Sequence, residues 1–161
     1  MQIRISRYGI ATTGLGIGLF LLLLWQPSRQ VRLHQRHLLH AIERRNWSTV
    51  GDLVSPAYRD QWQQDRSRLL ADLAEVFRQF LACSVEGEER ALTVENGEGS
   101  TATRITLRGS GSELAEYAKQ RVNGLREPFL FKWRQRSWKP WDWQLVEVRQ
   151  PELRIENLPD L

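Results

Sequence analysis

The feature that most limits what this chain can fold into is an uncharged stretch near its N-terminus. Residues 8–25 read YGIATTGLGIGLFLLLLW, eighteen residues without a charge. A helix of this length would be roughly 27 Å long, close to the thickness of the hydrocarbon core of a bilayer. The stretch therefore predicts a transmembrane anchor over residues 8–27, preceded by a short basic tail over residues 1–7.

A cleaved signal peptide is the alternative interpretation of this stretch. Arg4 and Arg7 supply a basic start, which both kinds of segment share. The end, LLLLWQPSRQ, lacks the small-x-small pattern of a cleavage site, because Trp25 and Gln26 stand where alanine is typical. We therefore expect an uncleaved single-pass signal anchor. Basic residues flank both ends almost equally, so their count does not favour one orientation. A short leader followed by a folded domain resembles a bacterial signal anchor, and we therefore expect an inner-membrane protein whose C-terminal domain lies in the periplasm.

The next part of the chain, residues 28–155, is long enough for one domain with its own core, and residues 156–161 form a tail. The net charge of +4 is too small an excess to predict nucleic-acid binding. Cys83 is the only cysteine, so no intrachain disulfide can form, and its apolar setting predicts a small buried side chain. The sequence contains no phosphate-binding loop, nucleophile elbow or metal-ligand cluster, and it implies no cofactor.

Helical spacing dominates the first half of this domain. The segment SRQVRLHQRHLLHAIERRNW predicts an amphipathic helix that Asn46 closes, and Ser48 is expected to cap a short second helix, TVGDLVS. The segment DRSRLLADLAEVFRQFLA predicts a long third helix whose apolar face includes Phe77 and Phe80.

The first of these helices carries three histidines, His34, His37 and His40. Consecutive members lie about 300° apart around a straight helix, so the three cannot converge on one metal ion. We expect surface histidines on a basic helix. Its arginines would form a solvated face or, in the cytoplasm, a patch for anionic lipid.

Alternation replaces helical spacing after Cys83. ERALTVENGEGSTATRITLRG places Asn96 and Gly97 between two alternating runs, which predicts a β-hairpin. SGSELAEYAKQRVNGL fits one face of a helix, although a twisted strand remains open at its end. FLFKWRQRSWKPWDWQLVEVRQP predicts two further strands joined by a loop at SWKP.

The last predicted hairpin separates aromatic from basic side chains. Phe131 and Trp133 would lie on one face of the sheet and Lys132 on the other. Base stacking requires rings and charges on the same surface, so nucleic acid is not an expected partner. Trp138 and Trp141, in the turn, are the candidates for contact with a partner.

Helices followed by antiparallel strands predict an α+β domain, with about three helices packed on a curved sheet. LLHAIERRNWSTVGDLVSPAYRDQW, the long third helix and the aromatic hairpin resemble the nuclear transport factor 2-like superfamily over about residues 29–155. This superfamily includes ketosteroid isomerases and polyketide cyclases. The resemblance implies a cystatin-like α+β cone with a pocket between the helices and the sheet. Members range from enzymes to transport adaptors and membrane-anchored assembly factors, so the fold alone does not determine function.

The leading hypothesis is a non-catalytic domain on a membrane anchor that binds a protein partner, a second copy of itself or a small hydrophobic ligand. In this hypothesis aromatic side chains line or close the cone. The predicted pocket residues are Trp47, Tyr58, Asp60, Trp62, Phe131 and Trp133.

A dehydratase- or isomerase-like enzyme is the alternative, and nucleic-acid or anionic-lipid binding by the basic faces is a third. An acid–base pair of Asp and His in the cone is not expected, because no histidine follows His40. The base would have to be Asp60, Glu86, Glu88 or Glu89. For Asp60 we expect instead that it caps the next helix, while Tyr58 packs in the core.

Overall fold

The structure, a computed structural model, describes residues 25–153. The predicted tails over residues 1–7 and 156–161 and residues 8–24 of the predicted anchor lie outside this range. Among the helices of residues 25–153, none is both long and apolar enough to cross a bilayer. The anchor therefore stays a prediction.

Four helices and four strands make up the described part of the chain. The helices are α1 (Pro27–Glu43), α2 (Trp47–Leu53), α3 (Arg66–Arg78) and α4 (Glu113–Asn123). The strands are β1 (Phe80–Glu95), β2 (Glu98–Gly111), β3 (Phe129–Gln135) and β4 (Trp143–Arg149). They form one antiparallel sheet in the order β1-β2-β3-β4. The α+β class is confirmed. A fourth helix joins the expected three because the ambiguous segment before residue 124 is helical.

Capping residues mark the helix starts and correct two predictions. Helix α1 begins at Pro27, whose fixed φ suits a first helical turn, and it ends at Glu43 rather than at Asn46. Asn46 instead caps α2, the role predicted for Ser48, by accepting a hydrogen bond from a backbone N–H of its first turn. The carboxamide of Asn46 can reach that N–H because the residue immediately precedes the helix. Asp65 caps α3 in the same way.

Helix α3 is shorter than predicted, because the chain enters β1 directly after the helix ends at Arg78. Phe80 therefore belongs to a strand and not to the helix. Its ring is still buried and lies against Phe77, with centroids 5.8 Å apart. Together with Leu107 and Ala115 these rings form a small apolar cluster beneath α4.

Helix α1 crosses the inner face of the sheet and contacts it closely at two glycines. A Cβ placed on Gly99 of β2 would lie 2.7 Å from Val31 Cγ2. A Cβ on Gly87 of β1 would lie 2.4 Å from Leu39 Cδ1. These separations are far below the optimal carbon–carbon distance of about 3.5–4.0 Å. Glycine at both positions lets the helix rest on the strands.

The start of α1 and both hairpin turns lie at one end of the domain, called here the turn end. The predicted β1–β2 turn is confirmed at Asn96 and Gly97, both of which adopt positive φ. The β3–β4 turn, residues 136–142, lies beside it because Arg134 at the end of β3 pairs with Glu98. Val31, in the second turn of α1, lies over Gly99 at the same end.

The two faces of the sheet differ in character, as the alternation predicts. The inner face packs against α1 and α2 with Phe131, Trp133 and Leu145 buried in one apolar core. The outer face carries ion pairs, among them Lys132 with Glu147 at 2.9 Å. Burial opposes ionisation of Glu147, but hydrogen bonds from Lys132 and Arg149 outweigh it, so the pKa of this carboxyl lies below its ordinary value. The outer face is therefore charged but largely paired.

Candidate functional site

A small polar cluster lies inside the cone, between α1 and the inner face of the sheet. Gln35 Oε1 of α1 accepts a hydrogen bond from Trp133 Nε1 at 3.1 Å and another from Thr101 Oγ1 at 3.2 Å. All three residues are at most 6% exposed. Among residues 25–153, Gln35 Nε2 and the Thr103 hydroxyl have no hydrogen-bond partner. Leaving buried polar atoms unpaired is unfavourable, so a bound polar group here would be stabilised.

Trp133 is one of the two tryptophans buried in the main core, with Trp143. It is 1% exposed, and the ring of His34 meets it edge-on with centroids 6.1 Å apart. His34 is half-buried and its Nδ1 lies 2.8 Å from the carbonyl oxygen of Gln30. The prediction of surface histidines is thus wrong for His34, because α1 itself forms a wall of the cone. His37 and His40 are exposed, as predicted.

Tyr58 and Asp60, two of the predicted pocket residues, lie together and are buried. The Tyr58 hydroxyl donates a hydrogen bond to Asp60 Oδ2 at 3.3 Å. Asp60 Oδ1 accepts from the backbone N–H groups of Trp62 and Gln64, each at 2.9 Å. Asp60 therefore stabilises its own turn and does not cap α3, because the turn separates it from that helix. Burial and the nearby Asp60 carboxylate raise the pKa of Tyr58 far above its ordinary value.

The remaining predicted pocket residues lie in different surroundings. Phe131 joins the core beside Trp133. Trp62 is half-buried and donates its indole N–H to the carbonyl oxygen of Leu153 at 2.9 Å, which fastens the segment after β4. Trp47 packs edge-on against Phe77 at 6.0 Å. The structure thus brings Tyr58, Phe131 and Trp133 into one core and leaves Trp47 and Trp62 at its edges.

Trp47 also lines a shallow surface groove of about 310 Å³ beside α3. The groove is called here the α3 groove and is lined by Arg45, Trp47, Ala71, Ala74, Glu75 and Arg78. Arg45 donates a hydrogen bond to the carbonyl oxygen of Phe80, and Phe80 begins β1, at the opposite end of that strand from the β1–β2 turn. The α3 groove is therefore at the opposite end of the domain from the turn end.

The other carboxylates considered as bases face arginines. Glu89 forms a bidentate ion pair with Arg32 and so ties α1 to β1. Two further pairs are exposed on β1 and its neighbour: Glu86 with Arg108, and Glu88 with Arg90. These carboxylates do not converge with Tyr58 and Asp60.

Residues 25–153 contain no group of three or more histidine, cysteine or acidic side chains placed to hold a metal ion. The Cys83 thiol is half-buried, and burial raises its pKa above the ordinary value. The predicted burial of the cysteine is thus confirmed only in part: its side chain packs at the edge of the small apolar cluster.

Trp138 and Trp141, the predicted partner-contact residues, are exposed in the β3–β4 turn, at 85% and 55% respectively. The sequence interpretation missed the interior polar cluster. A sequence pattern could have predicted its first member: Gln35 lies four residues after Val31 and three before Leu38, so it is a polar residue on the apolar stripe of α1.

No family model matches the sequence, and neither does any curated protein. Several solved structures share its architecture. A conserved protein from Planctomyces limnophilus is 13% identical, with a TM-score of 0.56 over 73% of this chain and 89% of its own. A candidate dehydratase of the nuclear transport factor 2-like family from Streptomyces avermitilis is 14% identical, with a TM-score of 0.57 over 76% and 93%. The fold is that of nuclear transport factor 2-like proteins. A cystatin-like domain of unknown function from Nostoc punctiforme, 15% identical, gives 0.55 over 78% and 77%.

Replacing Tyr58 by phenylalanine should lower the free energy of unfolding by about 1–3 kcal/mol, because the ring stays but the hydroxyl's hydrogen bonds with the Asp60 carboxylate and the backbone of Val148 are lost. Tyr117→Phe, at an exposed position on α4, is the matched control and should have no measurable effect. Urea denaturation followed by circular dichroism measures both. A loss as large as that of deleting a buried ring would show that the hydroxyl organises the cone.

Proposed function

We propose that this chain is a single-pass protein of a bacterial inner membrane whose nuclear transport factor 2-like domain is a non-catalytic binding module in the periplasm. The observation that carries the non-catalytic part is that the one buried carboxylate of the predicted pocket residues, Asp60, is bound by the protein itself. The Asp60 carboxylate is engaged by two backbone N–H groups and the Tyr58 hydroxyl. A general base must instead reach the proton that it removes from a substrate.

The packing of the cone supports the same proposal. Trp133 occupies the interior next to α1, and its indole N–H is bound by Gln35. A substrate would have to displace this side chain from the most buried part of the core. Binding at the surface of the domain is therefore favoured over catalysis inside the cone, which would require the core to rearrange.

The membrane part rests on the uncharged stretch over residues 8–25, which is long enough for a bilayer and leads directly into α1 at Pro27.

For the binding part, the α3 groove offers the surface with the features of a protein-contact site. Its lining combines Trp47 with Ala71 and Ala74 and with charged side chains, including the Glu75–Arg78 ion pair. An aromatic side chain beside small apolar and charged residues is typical of a binding hot spot. A segment of a partner protein with apolar side chains fits this groove better than a small polar substrate.

The test uses the full chain in a bacterial host. Membranes are washed with alkaline carbonate, and intact cells and spheroplasts are treated with protease. We expect the chain to stay in the washed pellet and its domain to be digested only in spheroplasts. Release into the wash would contradict the anchor, and digestion that requires lysis of the inner membrane would contradict the periplasmic placement.

The binding step is tested with a photo-crosslinking residue at Ala74, and Ala82 on the exposed edge strand β1 serves as the matched control. Crosslinks to one protein from Ala74 and not from Ala82 are expected. Equal crosslinking from both positions, or none from Ala74, would contradict a binding role for the α3 groove.

A further inference from the structure

The β3–β4 turn exposes two tryptophans, Trp138 and Trp141, on a backbone that makes several hydrogen bonds of its own. Arg136 N donates to the carbonyl oxygen of Asp142 at 2.8 Å, and the Ser137 hydroxyl donates to the Asp142 carboxylate at 2.6 Å. The neighbouring Trp143, which is buried, donates its indole N–H to the carbonyl oxygen of Pro140 at 2.8 Å. The turn is thus held by its own hydrogen bonds. Presenting Trp138 and Trp141 to a binding surface requires little additional ordering of the chain.

The charges of this turn differ from those of the adjoining strand. Lys132 and Arg134 of β3 each form an ion pair with a glutamate. Arg136 and Lys139 are exposed, and neither forms an ion pair with any side chain of residues 25–153. The turn therefore combines two exposed indoles with two positive charges that form no ion pair, against the single carboxylate of Asp142, which the Ser137 hydroxyl binds. This combination suits the boundary between water and anionic lipid, where tryptophan lies at headgroup level and cations contact phosphates.

The position of the turn agrees with such a partner. A Cβ placed on Gly99 would lie 2.7 Å from Val31 Cγ2 and 3.5 Å from Trp143 Cζ3. Helix α1 and the start of β4 therefore both lie next to Gly99. From Val31 back to Pro27 the helix advances only about 6 Å. The uncharged stretch therefore joins the domain at the turn end, on which residues 136–142 also lie.

We propose that residues 136–142 form a membrane-docking foot: Trp138 and Trp141 enter the headgroup region of an anionic bilayer beside the anchor, and Arg136 and Lys139 contact lipid phosphates. This inference rests on the anchor part of the proposed function. The foot and the anchor together hold the domain in one orientation. The α3 groove, at the opposite end, then faces away from the membrane toward a partner.

The experiment uses the full chain reconstituted into phosphatidylcholine vesicles with and without phosphatidylglycerol, prepared with ordinary or brominated acyl chains. Bromine quenches tryptophan only at short range. The double variant W138S/W141S removes both indoles of the foot, and W47F removes an indole at the opposite end as the matched control. Subtracting each variant's spectrum from that of the wild type isolates the contribution of the deleted tryptophans.

We expect the component lost in W138S/W141S to be blue-shifted and quenched by brominated lipid, and the component lost in W47F to be unaffected. In R136Q/K139Q, quenching of the foot component should fall in vesicles that contain phosphatidylglycerol. A foot component with the same intensity in both lipids overturns the proposal. So does quenching that is unchanged by R136Q/K139Q, because the charges are part of the foot.

Flotation of the vesicles separates the two proposals. A chain that fails to float with the vesicles contradicts the anchor, and with it the proposed function. A chain that floats but shows no quenching at the foot contradicts only the foot. In that second case, crosslinking from position 138 to another copy or to another protein would assign the turn to that partner instead.

Discussion

Trp133→Ala is expected to lower the free energy of unfolding by about 3–5 kcal/mol, the range typical of deleting a buried aromatic side chain. The residue is 1% exposed, lies in the main core and donates its indole N–H to Gln35. The alanine variant loses the packing of the ring and leaves a cavity between β3 and α1. It also leaves Gln35 Oε1 with only the Thr101 hydroxyl as a donor. Urea denaturation of the full chain in detergent, followed by far-ultraviolet circular dichroism, measures the change.

Two controls separate the contributions to this effect. Trp133→Phe keeps most of the ring but removes the N–H donor, and it should destabilise the domain less than Trp133→Ala does. Trp138→Ala deletes the same side chain at a position that is 85% exposed and should change stability by less than about 0.5 kcal/mol. Similar losses from Trp133→Ala and Trp138→Ala would mean that the cone interior is not packed around Trp133.

Gly99→Ala should lower the free energy of unfolding by about 1–3 kcal/mol, as expected for overpacking a filled interior. The added methyl group would lie 2.7 Å from Val31 Cγ2. Val31 is completely buried and β-branched, so neither its side chain nor α1 can move away freely. The same denaturation experiment applies, with Ser100→Ala on the outer face of β2 as the control that should be nearly neutral.

A double-mutant cycle tests the cause directly. Val31→Ala removes the methyl groups that the new Cβ would meet, so Gly99→Ala should destabilise the Val31→Ala background less than it destabilises the wild type. A coupling free energy of about 1 kcal/mol is expected for groups in direct contact. Strict additivity of the two substitutions would show that α1 does not rest on Gly99.

Local patterns were sufficient to predict most of the architecture. The Asn-Gly pair predicted the β1–β2 turn, because two consecutive residues there must adopt positive φ. Alternation predicted that Phe131 and Trp133 face the core while Lys132 faces solvent. Both features depend only on the backbone conformation of a few consecutive residues.

The errors at element boundaries share a physical cause. Phe80 fits the apolar face of a continuing helix and equally an inner position of a strand, and pairing with Gly111 of β2 decides for the strand. Asp60 has a side chain suited to capping a helix. It accepts its hydrogen bonds from the turn before α3 because the chain there is held against β4. Short-range propensity cannot distinguish such choices, since distant contacts make the difference.

The sequence by itself determined the α+β class, the separate aromatic and basic faces of the last hairpin and the uncharged stretch that predicts an anchor. Each of these depends only on the spacing of residues that are close together in the chain. The tertiary structure alone decided which distant residues each candidate site brings together. The interior polar cluster joins Gln35 to Thr101 and Trp133, which are 66 and 98 residues away along the chain. The strand register places residues 136–142 beside the start of α1. Such long-range placements follow from packing and pairing of whole elements, and no local pattern encodes them.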